Sequence, residues 1–335
     1  MTLLCAETPT RCEARTRLYR NGQLVSEGFP VDDISEHLAD GNSTVWLDLL
    51  APSTQDLEVL SEEFGLHPLA VEDAVHERQR PKLDHYDSHL FLNTYAVWLD
   101  TENGQLATSE IAAFVMKRAL ITVRKDDRLH LDALVERWDQ SVEQASHGVS
   151  WLLHGLLDHV VDGHFAAVEV LDDSIVELED VLFQDEPQSK EVQRRSFELR
   201  KSLVRMRRVV LPMREVLSSL LRRDLHVIDD AMVPYYQDVY DHVLRVAEWT
   251  EGLRDLVSTV LETNLTMQGN RLNEVMKKLT SWAAIIAIPT AVTGFFGQNV
   301  PYPGFQQESG FIFSVVLIVV IAGGLYVGFK RKGWL

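Results

Sequence analysis

The chain has 335 residues, 46% of them hydrophobic, and a formal net charge of −18 from 50 acids and 32 bases. That length admits two folding units and more. An anionic body repels nucleic acid and attracts cations, so no nucleic-acid partner is expected. Cys5 and Cys12 have no partnering histidine motif, which excludes a zinc site and a disulfide framework and fits a reducing compartment.

The segment "MTLLCAETPTRCEART" lacks a sustained apolar region, so no signal peptide is expected at this end. "ARTRLYRNGQLVSEG" predicts a hairpin turning at Asn21-Gly22. "STVWLDL" predicts a short strand. Ser53 or Thr54 then caps a helix carrying Leu57, Leu60 and Phe64 on one face. "HPLAVEDAVHE" predicts another helix, with Pro68 in its first turn. "HLFLNTYAVWL", "SEIAAFVMK" and "ALITVRK" are β-rich, with a turn at Asn103-Gly104 between the first two, and "DRLHLDALVERWDQSVEQA" is helical. Residues 1–147 therefore form an α/β domain.

From Ser150 the spacing becomes i, i+3, i+4 over long stretches, which predicts a helical domain over residues 148–278. One helix runs from Ser150 to a turn around Pro187. A second follows, with Pro212 as a point of bending, and ends before "DDAMVP". From Pro234 no strong stop occurs before Phe296, and Gly252 and Gly269 are tolerable inside a helix. This helix would have roughly 60 residues, a length on the order of 90 Å. It would be a stalk carrying motion into a bilayer.

No charge occurs from Leu279 to Gln307, nor from Ser309 to Phe329. Each block holds an apolar core of about 19 to 21 residues, near the length needed to span a bilayer. "IFSVVLIVVIAGGLYVGF" is apolar around its whole circumference, which disfavours a buried hairpin in a soluble core. Residues 279–335 are thus a two-span membrane domain, with spans 279–297 and 310–329 and a connecting loop 298–309. Lys277 and Lys278 flank the first span, and Lys330, Arg331 and Lys332 the second, while the loop has no Lys or Arg. Both termini are therefore expected on the cytoplasmic side. Those five bases against Glu308 give residues 277–335 a charge of +4 and leave −22 on the rest.

Within the first span, Ala283, Ala287, Thr290, Gly294 and Gly297 form one helical stripe of small residues, which extends inward through Met276 or Thr280 to Asn273. Trp282, Ile285, Val292, Phe295 and Phe296 lie mostly away from it. Periodicity alone admits two readings: close packing on a neighbouring helix, or the wall of a narrow pore. Two helices cannot enclose a pathway, so a pore requires several copies in a closed ring. Pro289 frees a backbone carbonyl and is a candidate bend.

Carboxylates recur upstream. Glu72 and Asp73 are adjacent; His154, Asp158 and Asp162 share a helix face, as do Asp238, Asp241 and His242; and Glu169 to Glu186 holds eight acids and no base. Hard divalent cations take such oxygen ligands. From the pattern alone, solvated helix faces are the plainer reading. No phosphate loop, zinc-protease helix or nucleophile elbow occurs, so an enzyme is not expected.

The triplet Gly297-Gln298-Asn299 after a small-residue helix, a second span and the basic end "KRKGWL" resemble the CorA magnesium-transporter family, whose hallmark at this place is Gly-Met-Asn. "HPLAVEDAVHERQRPK", "VPYYQDVYDH" and "NEVMKKLT" are similar to family segments in the family's order, and the resemblance covers nearly the whole chain, weakest over roughly the first 40 residues. It implies an α+β fold: an N-terminal α/β cytoplasmic domain, a long helical stalk and two C-terminal transmembrane helices per subunit, in a funnel-shaped homopentamer of the plasma (inner) membrane.

By the resemblance, Gly297, Gln298 and Asn299 form the selectivity ring, and Asn273, Met276, Leu279, Ala287 and Thr290 line the pore. Asp73 and Asp238 fall at the regulatory divalent site between subunits, Glu72 and Asp158 at a second site nearby. The transported and regulatory ion would be Mg²⁺, with Co²⁺ or Zn²⁺ as others. Gln298 in place of methionine puts the ion's identity in question, since a zinc-transporting branch also varies there, and Ala287 is smaller than the methionine common at its position. The alternatives are a transporter of Zn²⁺ or another transition metal, proton-coupled or not, and a non-conducting membrane metal sensor.

Overall fold

The computed structural model describes residues 12–76, 79–99, 105–183, 189–222 and 228–335. The turns expected at Asn103-Gly104 and Pro187, Cys5, and the last acids of the Glu169–Glu186 run lie outside them.

Asn21 and Gly22 take φ of 50° and 78°, the left-handed pair that closes a two-residue hairpin without splaying its strands. They join β1 (Glu13–Arg20) to β2 (Gln23–Glu27). β3 (Ser43–Leu50), β4 (Lys82–His85), β5 (Leu90–Leu99), β6 (Leu106–Val115) and β7 (Ala119–Arg124) complete a seven-stranded sheet of order β2-β1-β3-β7-β6-β5-β4. All neighbours are antiparallel except β3 and β7, which pair Val45 with Ala119 through Leu50 with Arg124. Short helices follow the loops: α1 (Ile34–Leu38), α2 (Thr54–Phe64) and α3 (Pro68–Val75). Ser53 caps α2 in a reciprocal capping box with Asp56. Pro68 opens α3 at its first position, where a missing N–H costs nothing.

Strand alternation sends β3 to two cores. Val45, Leu47 and Leu49 join Leu57, Leu60, Ala70, Phe91 and Phe114 under α1–α3. Trp46 faces the other way, edge-on to Trp138 at 4.9 Å, and Trp138 in turn meets Trp151. On this second face lie α4 (Asp132–Gln140), α5 (Val142–Ala145) and α6 (Val149–Leu182). The single helix expected through residues 127–145 is interrupted at Ser141, whose φ and ψ of −103° and 54° leave the helical region. Its hydroxyl donates to the Arg137 carbonyl at 2.9 Å, an alternative bond that competes with continuing the helix.

Asp48, 1% exposed, takes three guanidinium bonds of 2.6–3.1 Å from Arg124 and one of 2.7 Å from the Thr122 hydroxyl. This network lies across the single parallel pairing. Uncoupling it would strand a buried charge, which costs about 3–5 kcal/mol.

α6 packs on β5 and on α7 (Ser189–Leu220), which runs through Pro212 as one helix. A 3₁₀ turn at Asp230–Met232 precedes α8 (Val233–Phe296), 64 residues long against the roughly 60 expected. Tyr236 fixes its start by donating to the Ser150 carbonyl at 2.7 Å. α9 spans Glu308–Arg331. The chain divides into two compact units, Met1–Ser258 and Thr259–Leu335, and α8 contributes residues to both. α8 and α9 each hold a stretch long and apolar enough to cross a membrane.

His164 of α6 is fully buried, and its Nε2–H donates to the Tyr95 carbonyl at 2.7 Å. Burial pushes the imidazole from 6.5 down to about 4. Below pH 6.5 the unfolded chain takes up a proton that the folded chain refuses until about pH 4. Stability is therefore lost as pH falls through that window, by about 3 kcal/mol in full. His164→Gln keeps an N–H donor and cannot charge. Urea titrations at pH 7 and pH 5 should show the wild type losing about 2 kcal/mol more than this variant; equal losses would remove His164 as the cause.

Candidate functional site

Along α8 from Ser281 to Phe296, Ser281 is buried and Ala284, Ile285, Ile288, Pro289, Val292 and Phe296 are partly buried. They recur every three to four residues and form one face. On α9 the matching set is Ser314, Leu317, Ile318, Ala322, Leu325 and Phe329. Ring contacts join the two helices at both ends, Trp282 with Tyr326 at 6.4 Å and Phe296 with Phe313 at 6.3 Å. The small-residue stripe is not on this face. Ala283, Ala287, Thr290, Gly294 and Gly297 are all exposed, as are Asn273, Met276, Leu279 and Thr280 further inward. A Cβ placed on Gly294 would meet nothing within 4 Å. The stripe is thus not used to pack the chain's own second helix.

α8 ends where Gly297 N–H donates to the Thr293 carbonyl at 2.8 Å. A Cβ at Gly297 would lie 2.9 Å from that same oxygen, so only glycine makes this exit without a shift. Tyr302 folds back, donating to the Phe296 carbonyl at 3.2 Å and meeting the Phe296 ring at 5.0 Å. The return to α9 brings Gly304 against Gly310. Gln298 and Asn299 stand exposed on this braced turn, and neither side-chain amide has a hydrogen-bond partner among the described residues. Two free amides at the end of an uncovered stripe can offer carbonyl oxygens to a cation or to its water shell.

The four carboxylates of the first unit fall into two groups. Glu72 and Asp73, on α3, line an open recess of about 490 Å³ with Leu69, Lys82, Asp84, His85 and Tyr86. Asp73 is engaged there: the Lys82 ammonium donates to its Oδ2 at 2.6 Å and pairs equally closely with Asp84 Oδ2. Burial disfavours the Lys82 charge, but its hydrogen bonds to Asp73 and Asp84 outweigh this and raise its pKa.

Asp158 belongs to the other group. It stands with Asp162 on α6 and His242 on α8, with one ligand atom from each within 4.8 Å of the others. Arg137 donates to Asp158 and, at 3.1 Å, to Asp162. Burial, and then the Asp162 charge, push the Asp158 carboxyl up, against the pull of His154 and Arg137. His154 is held below the ordinary imidazole value, mainly by burial. Asp238 is exposed, 3.8 Å from His242 Nε2. No hydrogen bond or ion pair among the described residues joins Glu72 or Asp73 to Asp158 or Asp238.

The donor chemistry suits a hard divalent cation: carboxylate oxygens line both places, and the histidine extends the second towards transition metals. The pairings Lys82–Asp73, Lys82–Asp84 and Arg137–Asp158 are not among the sequence expectations. The signal for one was present, because Lys82 and Asp84 alternate in "KLDH" and so share a strand face.

An α/β unit followed by a unit of two long apolar helices is the build of an integral membrane protein. A family model described as "CorA-like Mg2+ transporter protein" matches residues 41–331. The cobalt/magnesium transport protein CorA of Thermotoga maritima is 32% identical over 313 residues, covering 92% of this chain and 88% of that one. Two full-length structures share the fold. One is a CorA magnesium transporter of Methanocaldococcus jannaschii, with a TM-score of 0.75 and 21% identity over 96% of this chain and 98% of its own. The other is the CmaX protein, with a TM-score of 0.73 and 20% identity over 98% and 100%. The chain belongs to the CorA family, and it is a divalent-cation transporter of the CorA type.

Proposed function

We propose that the protein is a Mg²⁺ channel of the plasma (inner) membrane that works as a homopentamer, with both termini cytoplasmic and residues 298–309 outside. The observation that carries this reading is the face α9 leaves open. A stripe of small residues stays uncovered along α8 and runs out at two unpartnered amides. Copies arranged around a ring, each turning this stripe inward, would enclose a narrow path. In that arrangement Asn273, Met276, Leu279, Ala287 and Thr290 line the path, and Gly297, Gln298 and Asn299 form its outer mouth.

Magnesium sheds water reluctantly. Neutral amides can hydrogen-bond its hydration shell without holding it as tightly as a ring of carboxylates would. A negative interior supplies ~2.3 kcal/mol per charge per 100 mV, or ~4.6 for a divalent ion, so uptake needs no ATP. Cytoplasmic Mg²⁺ bound by Asp73 and Asp238 of neighbouring subunits, with Glu72 and Asp158 at a second position, would hold the ring closed. α8, continuous from Val233 to Phe296, would carry the change.

A second reading is a transporter of Zn²⁺ or another transition metal. Gln298 in the triplet and the Asp158–Asp162–His242 set favour it. Proteoliposomes with an imposed negative-inside potential separate the two, with Mg²⁺ and Zn²⁺ entry measured in parallel at two pH gradients. The Mg²⁺ reading expects Mg²⁺ entry that rises with the potential and ignores the pH gradient. Zn²⁺ entry alone would replace it with the second reading, and no entry of either ion would indicate a non-conducting sensor.

A further inference from the structure

Lys82 already engages one carboxylate oxygen of Asp73. Its ammonium lies 2.6 Å from Asp73 Oδ2, and both side chains are about three-quarters buried, at 26% and 23% exposure. The stem is held in place: Lys82 sits on β4, paired with Asn93 of β5, and its ammonium lies 5.7 Å from the centre of the buried Phe91 ring. The same ammonium is 2.6 Å from Asp84 Oδ2, two residues along the strand. Both aspartates open on the recess that Glu72 also lines.

The geometry points to Lys82 as a tethered cation that competes with divalent metal for Asp73, with Asp84 as its second perch; this rests on the reading of Asp73 as a metal ligand. The ammonium neutralises Asp73 while the metal is away. A bound divalent ion and the ammonium cannot share Asp73 cheaply, because like charges a few ångströms apart repel. Metal entry therefore requires Lys82 to release Asp73 and rest on Asp84 alone. A monovalent ion brings no more charge than the ammonium already supplies, so it gains little by the exchange. Lys82 thus selects divalent over monovalent cations and raises the concentration at which the site fills. Asp84 acts in the opposite sense without touching the metal: the more firmly it holds the ammonium, the more readily Asp73 is freed.

The test uses the full chain in reconstituted bilayers, with current recorded from excised patches while Mg²⁺ is varied on the cytoplasmic face. Lys82→Met keeps the unbranched stem and removes the charge. It should lower the half-inhibiting Mg²⁺ by about fivefold, the scale of one part-exposed ion pair. Lys82→Arg keeps the charge and should stay near wild type, which also guards against a folding defect at this position. Asp84→Asn should raise the half-inhibiting Mg²⁺ in the wild-type background and move it little in Lys82→Met, since Asp84 works through Lys82. A Lys82→Met curve that is unchanged or shifted to higher Mg²⁺, while Asp73→Asn abolishes inhibition, would overturn the role of Lys82 and leave Asp73 as a ligand. An unchanged curve for Asp73→Asn would instead remove the metal-ligand reading. An Asp84→Asn effect of equal size in both backgrounds would show plain electrostatics at Asp84 and refute the shared-perch mechanism.

Discussion

Replacing Asn299 with alanine should lower Mg²⁺ entry into polarised proteoliposomes on the order of 100-fold while the protein still assembles and inserts. The side chain is exposed, makes no hydrogen bond among the described residues and follows the end of α8 by three residues. Its removal therefore breaks no contact that holds the fold. The loss falls on the ion. Each amide–water hydrogen bond is worth about 0.5–1.5 kcal/mol net, and every subunit of the proposed pentamer would lose one at the same place. Two such bonds at the barrier, about 2.7 kcal/mol together, already give the 100-fold fall. Gly297 and Tyr302 hold the turn through backbone and ring contacts that the substitution spares. Entry unchanged in an Asn299→Ala protein of wild-type size on gel filtration would exclude Asn299 from the ion path.

Much of the architecture is local and was legible for that reason. Asn21-Gly22 dictates a hairpin, Ser53 and Pro68 mark helix starts, and apolar spacing marks α6 and α8. What escaped was non-local or short. β4 is four residues with two charges and a histidine, and it becomes a strand because β5 offers it an edge. The parallel pairing of β3 with β7 joins segments some 70 residues apart, and no local pattern encodes that.

The candidate site divides in the same way. The small-residue stripe is a helical period and can be read directly, but its exposure depends on which face α9 covers. α9 is apolar all round, so its own sequence does not say. The carboxylates could be named, but their cationic partners could not. Lys82 reaches Asp73 only once β4 exists, and Asp162 meets His242 only once α6 lies beside α8. The resemblance to a known family supplied roles for single residues. The structure adds that two of the four carboxylates already hold a cation of the chain's own.

Asp238→Ala tests the gating half of the reading under favourable conditions. The Asp238 side chain is 69% exposed, and its ion pair is a 3.8 Å approach to His242. Surface changes of this kind alter stability by about 0.5 kcal/mol or less, so the variant should fold and conduct. An ion can bias closure only through its different affinity for the closed and open states. Removing one of two shared ligands at each proposed subunit boundary should cut that difference. The half-inhibiting cytoplasmic Mg²⁺ should rise about tenfold or more, within the 5- to 150-fold span of typical coupling energies. Asp241→Ala, on the same exposed turn but outside the proposed ligand set, separates ligation from bulk charge and should leave the curve within about twofold, the scale of an exposed surface charge. Equal shifts in the two variants would reduce the effect to surface potential. An unshifted curve for Asp238→Ala would mean that cytoplasmic Mg²⁺ closes the channel elsewhere, with the Asp158–Asp162–His242 set as the next place to look.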